Sequence, residues 1–316
     1  MNNKQLLEQI LIADKWGIML DKGVMLLKSL KCLCEEHPPY SRQISDIIDS
    51  IRNGGNISTS MGKNQFHPVL INLVYVGEET GSLDTSLSKA ARVLEKELHV
   101  RKENPLYGDK IVFYSQLGGM LEQGCPLVLS LNAITQSDFF ENGWKKQVKR
   151  VTEDIGGGEI FSKALAKCKL FEKLDTEVIH NGEILGILDV NINKLGGYYE
   201  RLGGCYKRLS LSNHKKLKEG NKIIFYEQLG LLLDDGYKHK QELEALDIIK
   251  DCIHLPKNWR KMVACIIDDM ITGASLPDAM SRYKLFKKSE IEILKERYEN
   301  SEMFSDLARI HKPSAY

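Results

Sequence analysis

The residues of this chain best placed to do chemistry are carboxylates that stand beside glycines. Glu78 and Glu79 lie inside the stretch Gly77–Gly81, and Asp84 follows soon after it. Hard cations such as calcium prefer oxygen ligands, so these three carboxylates could together bind one. Acidic side chains at this place could equally contact a protein partner. The spacing therefore marks a candidate cation site or partner site.

A structural role explains the same glutamates without any ligand. Glu78 has a counterpart in Glu183, which lies in the similar stretch Gly182–Gly186. A carboxylate near a helix N-terminus accepts hydrogen bonds from exposed backbone amides, and the helix dipole favours its negative charge there. We expect each glutamate to cap the last helix of its domain, which starts after the glycine stretch. Partner contact by Glu78, Glu79 and Glu183 is the alternative.

The sequence contains no pattern typical of catalysis. A phosphate-binding GxxxxGK[ST] loop is absent, and the run Gly156–Gly158 is followed by Glu159, whose charge would repel phosphate. The eight histidines show neither HExxH nor another metal-ligand spacing, and there is no GxSxG nucleophile elbow. We therefore predict a protein that is not an enzyme and has no catalytic residue, cofactor or metal ion.

The cysteines indicate a reducing compartment. They number seven, which is odd, and include no CxxC pair, so neither a disulfide framework nor a zinc site is predicted. Cys125, Cys252 and Cys265 have apolar neighbours, and we expect these thiols to be buried. Reduced cysteines, and an N-terminus without the apolar run of a signal peptide, predict a cytoplasmic protein.

Charge and hydropathy exclude two further classes. The chain has 44 basic and 43 acidic residues, so it lacks the basic excess of a nucleic-acid-binding protein. A membrane-spanning helix needs about twenty mostly apolar residues. The longest uncharged stretches, Asn64–Gly77 and Gln123–Ser137, are shorter and contain polar side chains. We predict buried helices there, no direct membrane span and no nucleic-acid partner.

A repeated phrase shows how the chain is organised. Ile111–Gly118 reads IVFYSQLG and Ile223–Gly230 reads IIFYEQLG, and six residues after each phrase comes another glycine, Gly124 or Gly236. The N-terminal segment has the same glycine spacing, which ends at Gly23. A period above one hundred residues indicates a duplicated domain. We expect Gly23, Gly124 and Gly236 to end the first helix of each copy, with a positive φ or a close approach of two helices.

The glycine–glutamate stretches are a second landmark, near the end of each copy. Gly77–Gly81 in copy one matches Gly182–Gly186 in copy two, whereas copy three has Arg297–Ser301 at that place. The glycines that bound the two matching stretches are predicted to be structural: Gly77, Gly81, Gly182 and Gly186.

Three domains follow from these landmarks, with predicted boundaries at residues 1–103, 104–212 and 213–316. The first joint lies at Lys102–Pro105, because proline disfavours helix at the residue before it. The second joint lies in the polar stretch Ser210–Lys218, which we expect to form a hinge.

Helical periodicity is frequent along the chain and strand signals are nearly absent. Apolar residues recur at intervals of three and four in the segments Leu6–Leu11 and Ile44–Ile51, as on one face of a helix. We predict an all-α protein of three tandem antiparallel bundles with five to six helices in each. One of the six is a short helical turn near Ser58–Met61.

The landmarks together resemble the cytoplasmic domain of the type II secretion system protein F family, which includes the platform proteins of type IV pili. Four stretches carry the resemblance: Phe113–Leu117, Gly124–Leu127, Gly77–Leu83 and Gly182–Leu188. Members usually have two such domains and three membrane helices, sit in the inner membrane and contact the assembly ATPase. This chain departs from that pattern by its third copy and its lack of membrane helices.

The resemblance implies a non-enzymatic assembly module that docks on the secretion or pilus assembly ATPase, or on neighbouring platform subunits. Self-association as a homo-oligomer is compatible with it. Such a protein would be cytoplasmic, or held by its partners at the cytoplasmic face of the inner membrane. The alternative is a soluble helical adaptor or regulatory scaffold that is no longer tied to secretion, which the missing membrane helices and the altered third stretch favour.

Overall fold

The structure, a computed structural model, describes residues 1–103, 107–209, 214–233, 240–296 and 303–310. Within these ranges every element of secondary structure is helical, which confirms the predicted all-α class. The helices fall into three successive groups of six.

The bounds of the helices are as follows. The first group is α1 Asn3–Asp21, α2 Leu26–Glu36, α3 Ser41–Arg52, α4 Ile57–Lys63, α5 Pro68–Thr80 and α6 Leu83–Glu103, with a 3-10 turn at Pro38–Tyr40. The second is α7 Gly108–Glu122, α8 Leu127–Gln136, α9 Asn142–Gly156, α10 Phe161–Ala166, α11 Lys173–Leu185 and α12 Leu188–Leu209. The third is α13 His214–Leu233, α14 Lys240–Lys250, α15 Lys257–Ile271, α16 Leu276–Ser281, α17 Lys288–Glu296 and α18 Met303–Ile310.

The same order of helices recurs in each group. The fourth helix is always the shortest, with 7, 6 and 6 residues in α4, α10 and α16. The predicted turn near Ser58–Met61 is α4, which confirms that prediction. The first helix of each group packs against the sixth: α1 on α6, α13 on α18, and α7 on α12, where the Tyr114 and Tyr199 rings stack with centroids 5.7 Å apart.

The chain divides into two compact units. Unit 1 contains Met1–Leu170 and Asn181–Tyr199, and unit 2 contains Phe171–His180 and Glu200–Tyr316. The division passes through α11 and α12, so the second helix group belongs to both units. The three predicted domain boundaries do not coincide with these units, and the arrangement of three separate bundles stays a prediction.

The two predicted joints have different outcomes. Helix α6 ends at Glu103, directly before residues 104–106, which lie outside the described ranges. The hinge predicted at Ser210–Lys218 is wrong for its second half, because α13 begins at His214 and runs through it. The physical reason is that lysines and leucine are good helix formers, so a charged stretch without glycine or proline need not interrupt a helix.

Helix α1 shows how sequence and packing define the contact between the first and sixth helices. It begins with a capping box, in which Asn2 Oδ1 accepts a hydrogen bond from the Gln5 amide and Gln5 Oε1 accepts one from the Asn2 amide, each at 2.9 Å. Near its other end, Gly17 faces α6, and a Cβ atom there would lie 3.0 Å from the carbonyl oxygen of Asp84. A larger residue would therefore separate the two helices.

The cysteine predictions are confirmed in two of three cases. Cys125 and Cys252 are buried, whereas Cys265 is exposed on α15. The buried face of α15 carries Trp259, Val263, Ile266 and Met270. Apolar neighbours in sequence placed Cys265 wrongly, because residues adjacent in a helix point to different faces.

Two further features concern hydropathy and buried charge. Among the described residues, none of the helices combines the length and the apolar character that a bilayer crossing requires.

In unit 2, Lys222 of α13 is buried and its Nζ lies 2.7 Å and 3.0 Å from the two carboxylate oxygens of buried Glu290. The Tyr226 hydroxyl donates to the same carboxylate at 2.9 Å. Burial and the Glu290 charge raise the pKa of Tyr226 well above its ordinary value of 10.0, so its hydroxyl stays protonated as a donor.

We predict that Glu290→Ala lowers the free energy of unfolding of the chain by about 3–5 kcal/mol, because it leaves the Lys222 ammonium buried without its carboxylate. Urea denaturation followed by circular dichroism measures this loss. The control is Asp247→Ala, which removes the half-exposed pairs of Asp247 with Lys250 and Lys173 and should cost at most about 1 kcal/mol. Equal losses for the two variants would contradict the prediction.

Candidate functional site: two glycine–glutamate corners

The two glycine–glutamate stretches form the same turn between long helices. We call Gly77–Gly81 the first corner, between α5 and α6, and Gly182–Gly186 the second corner, between α11 and α12. Gly81 has φ 71° and Gly186 has φ 70°. The amides that follow these glycines close the turns, Ser82 onto the Gly77 carbonyl at 3.0 Å and Ile187 onto the Gly182 carbonyl at 2.9 Å. This left-handed termination is a common helix ending and strongly favours glycine.

The first glycine of each corner has a different role, which is close packing. A Cβ atom on Gly77 would lie 2.9 Å from Leu83 Cα, and one on Gly182 would lie 3.0 Å from Leu188 Cα. Such contacts are at or below the shortest that real Cβ atoms make, so a side chain at either position would force the neighbouring backbone to move. The two glycines of a corner therefore meet two separate requirements, one for space and one for φ.

The glutamate of each corner caps a helix, but not the helix that we expected. Glu78 accepts hydrogen bonds from the backbone amides of Ile57 at 2.5 Å and Ser58 at 3.0 Å, and from the Ser58 hydroxyl at 2.5 Å. Glu183 accepts from the amides of Phe161 at 2.6 Å and Ser162 at 3.2 Å. The prediction of a cap on α6 or α12 is thus wrong, and the capped helices are the short α4 and α10.

The physical reason lies in the position of the glutamate within its own helix. Glu78 belongs to the last turns of α5, where the negative end of the helix dipole disfavours a carboxylate. Its side chain reaches instead to the N-terminus of α4, which presents amides without partners inside that helix. A short helix depends on such a cap more than a long one, because it has few internal hydrogen bonds.

The third helix group caps its short helix locally. Ser275 Oγ accepts a hydrogen bond from the Asp278 amide of α16 at 3.3 Å. Leu276 and Pro277 stand where the other groups have the two amides that the glutamate binds, and proline has no N–H to offer. The glutamate's place in sequence is taken by Tyr298, which lies outside the described residues together with the rest of Arg297–Ser301. The Ser-x-x-Asp pattern was a readable signal for this cap.

The glycines that follow the first helices adopt a backbone conformation with positive φ, which explains why glycine stands at these positions. Gly23 follows α1 with φ 77° and Gly124 follows α7 with φ 82°. A Cβ atom on either would have no heavy atom within 4 Å, so a close approach of helices is not the reason. The positive φ that we predicted is confirmed at these two positions. Gly236 lies outside the described residues.

The predicted ligands of a cation do not converge. Among the described residues, one group of three ligand-type side chains has its donor atoms within 4.8 Å of one another, and it is not the group Glu78, Glu79 and Asp84. Both oxygens of Glu78 accept hydrogen bonds from α4 instead. The geometry therefore gives no support for calcium at the first corner.

The surfaces of the two corners differ in polarity. Glu79 and Thr80 are exposed at the first corner, so Glu79 is the one predicted partner-binding glutamate that is exposed, whereas Glu78 and Glu183 are partly buried. The second corner and the first turn of α12 expose apolar side chains instead: Ile184, Leu185 and Val190.

A buried polar cluster in the first helix group, at the end of α5 away from the first corner, was missed by sequence reasoning. Glu97 of α6 is fully buried and lies 2.6 Å from Arg101 Nη2 and 2.6 Å from Gln116 Nε2. His67 Nε2 lies 3.1 Å from Glu97 Oε2. Burial alone raises the pKa of Glu97, and the opposing interactions with His67 and Arg101 outweigh it, so this pKa lies below its ordinary value of 4.5. The signals available were Gln116 in the repeated phrase and the i, i+4 spacing of Glu97 and Arg101.

Comparisons with known proteins find similarity to parts of this chain. The family model for type II secretion system (T2SS), protein F, matches residues 12–104, which span most of the first helix group. A type IV pilus assembly protein PilC of Thermus thermophilus is 28% identical over 125 residues, which cover 39% of this chain and 30% of that protein. A PilC of Myxococcus xanthus is 33% identical over 94 residues, 29% of this chain and 22% of that protein.

Residues 12–104 therefore form a region similar to the type II secretion system protein F family, which confirms the resemblance for this part of the chain. The matched stretches cover less than a third of the length of these two relatives. The family model coincides with copy one, and the second and third copies stay a prediction.

We predict that Glu78→Gln lowers the free energy of unfolding by about 1–2 kcal/mol, because the amides of α4 lose a charged acceptor. Chemical denaturation of the whole chain measures the change. The matched control is Glu79→Gln, one residue away and exposed, which should change the stability by less than about 0.5 kcal/mol. A larger effect at Glu79 than at Glu78 would show that the cap is not what stabilises this corner.

Gly77→Ala is predicted to destabilise the chain by about 1–3 kcal/mol, because the new methyl group meets the backbone of α6 and the helices must separate. Gly62→Ala is the control, since Gly62 is an exposed glycine of α4 with nothing within 4 Å of its Cβ position. That change should be neutral or stabilise by up to about 1 kcal/mol. Thermal melting of both variants tests the difference, and no difference between them would refute close packing as the role of Gly77.

Proposed function

We propose that this chain is a non-enzymatic assembly module of a secretion or pilus machine, which docks on the assembly ATPase or on a neighbouring subunit. The observation that supports this most is the protein F domain at residues 12–104, together with relatives whose names are those of pilus assembly proteins. Docking on such a partner would place the chain at the cytoplasmic face of the inner membrane, and self-association there is compatible with it.

The exposed side chains of the second corner are the docking residues that we assign. Ile184 is 68% exposed, and Leu185 of the same corner and Val190 of the first turn of α12 are also exposed. Large apolar side chains clustered at a surface are typical anchors of protein interfaces. The turn that presents them is held by Gly182 and Gly186, so little conformational entropy is lost on binding.

The corner glutamates take different parts in this proposal. Glu79 is exposed and is available for direct contact at the first corner. Glu78 and Glu183 bind the amides of α4 and α10, so their contribution is to fix the position of each corner relative to its short helix. We assign no catalytic residue to the chain, and the docking requires no cofactor.

Site-specific photo-crosslinking in the native host tests the proposal. A photoreactive residue at position 184 should capture the assembly ATPase or another subunit of the machine. The matched control is position 271, because Ile271 is equally exposed at 68% but lies on α15 of unit 2. Capture from position 184 of proteins unrelated to secretion or pili alone would overturn the proposal and favour a helical adaptor. Ile184→Asp should abolish the capture measured from a neighbouring position, and Ile271→Asp should not.

A further inference from the structure

Three side chains of unit 2 with metal-binding donor atoms come together near the surface. Cys252 and His254 lie in the connection between α14 and α15, and Glu172 stands directly before α11. His254 Nε2 lies 3.0 Å from Glu172 Oε1. With Cys252 Sγ, the three donor atoms lie within 4.8 Å of one another, and they form the single such group of the described residues.

The types of donor point to zinc. A thiolate, an imidazole and a carboxylate are the three ligands that zinc uses in proteins, at bond lengths of about 2.0–2.3 Å. Calcium and magnesium prefer oxygen ligands alone, so a sulfur and a nitrogen donor select against them. Three protein ligands would leave a fourth position of a tetrahedral ion for water.

The surroundings of the sulfur resemble the outer shell of a metal-bound thiolate. Gln228 Nε2 donates a hydrogen bond to Cys252 Sγ at 2.9 Å, and the backbone amide of His254 hydrogen-bonds the same sulfur. Two N–H donors directed at one sulfur stabilise its negative charge. Glu172 is held in turn, because its amide donates to Asp175 Oδ2 at 2.8 Å. The group is thus oriented from several sides.

The three side chains are buried to different degrees, so an ion could reach them from the side of Glu172. The side chain of His254 is 1% exposed, whereas that of Glu172 is 23% exposed and gives access to solvent. Burial also raises the pKa of the Cys252 thiol to about 11, against the lowering by the His254 amide. Even an ordinary cysteine thiol is mostly protonated at neutral pH, so binding of a metal ion as a thiolate releases a proton.

We propose that Glu172, Cys252 and His254 form a zinc site, which ties the α14–α15 connection to the start of α11. Binding converts the thiol into a zinc thiolate: the S–H bond breaks, the sulfur lone pair forms the bond to zinc, and one proton leaves to solvent. Because one proton is released, zinc binding is expected to be stronger at higher pH. The proposal does not depend on the docking proposed above.

Calorimetric titration of the whole chain with zinc, after removal of metal by a chelator, tests the site. One ion should bind per chain, with a proton release that appears as a dependence of the measured heat on the buffer. Calcium under the same conditions should give no binding. Absence of zinc binding, or binding without proton release, would overturn the proposal.

Variants separate this site from adventitious binding to a thiol. Cys252→Ser and His254→Ala should each reduce affinity by more than the 10- to 100-fold that loss of an outer-shell partner costs. Cys265→Ser, which changes an exposed cysteine of the same unit, should leave affinity unchanged. Zinc binding that survives Cys252→Ser, or that disappears in Cys265→Ser, would refute the assignment.

A change that keeps all three ligands guards against loss of folding as the cause. Gln228→Met retains the size of the side chain but removes its hydrogen bond to the sulfur, and it should weaken zinc binding by about 10-fold. Zinc should also raise the melting temperature of the unaltered chain, because it binds only the folded state. This rise should be absent in Cys252→Ser, and an equal rise in that variant would contradict the proposal.

Discussion

The first backbone amides of a short helix have no hydrogen-bond acceptors within that helix. In this protein a glutamate carboxylate from a neighbouring longer helix accepts their hydrogen bonds. Glu78 does so for α4 and Glu183 for α10. A helix of 6 or 7 residues has too few internal hydrogen bonds to be stable alone. The cap therefore determines where the short helix lies relative to the corner, and the corner in turn sets the path of the long helices.

The glycines of each corner make this arrangement possible in two ways. Gly77 and Gly182 bring the backbone of the following helix close, while Gly81 and Gly186 reverse the chain with a positive φ. The third helix group reaches a similar short helix without the glutamate, through Ser275. One structural requirement is thus met by distant residues in two groups and by a neighbouring residue in the third.

The first helices show a comparable variation in their buried polar residues. Eight residues before the glycines at 17, 118 and 230 stand Gln9, Lys110 and Lys222, and all three are buried. Gln9 binds the Tyr40 hydroxyl and accepts from the His67 amide at 2.7 Å. Lys110 donates to the Tyr199 hydroxyl at 2.6 Å, and Lys222 pairs with Glu290. A buried polar group must have a partner, but nothing in that requirement fixes which partner it is.

The sequence alone determined the features that depend on neighbouring residues. Apolar spacing predicted helices, and glycine at a helix end predicted a positive φ at Gly23 and Gly124, because both properties are set within one or two turns of chain. Tertiary structure decided what depends on residues far apart. The helix that Glu78 caps, the exposed side of Cys265, the passage of the unit division through α11 and the meeting of Glu172 with Cys252 and His254 all follow from how helices pack. No local pattern carries that information, since packing brings together side chains far apart in the chain, such as Glu172 and His254, which are 82 residues apart.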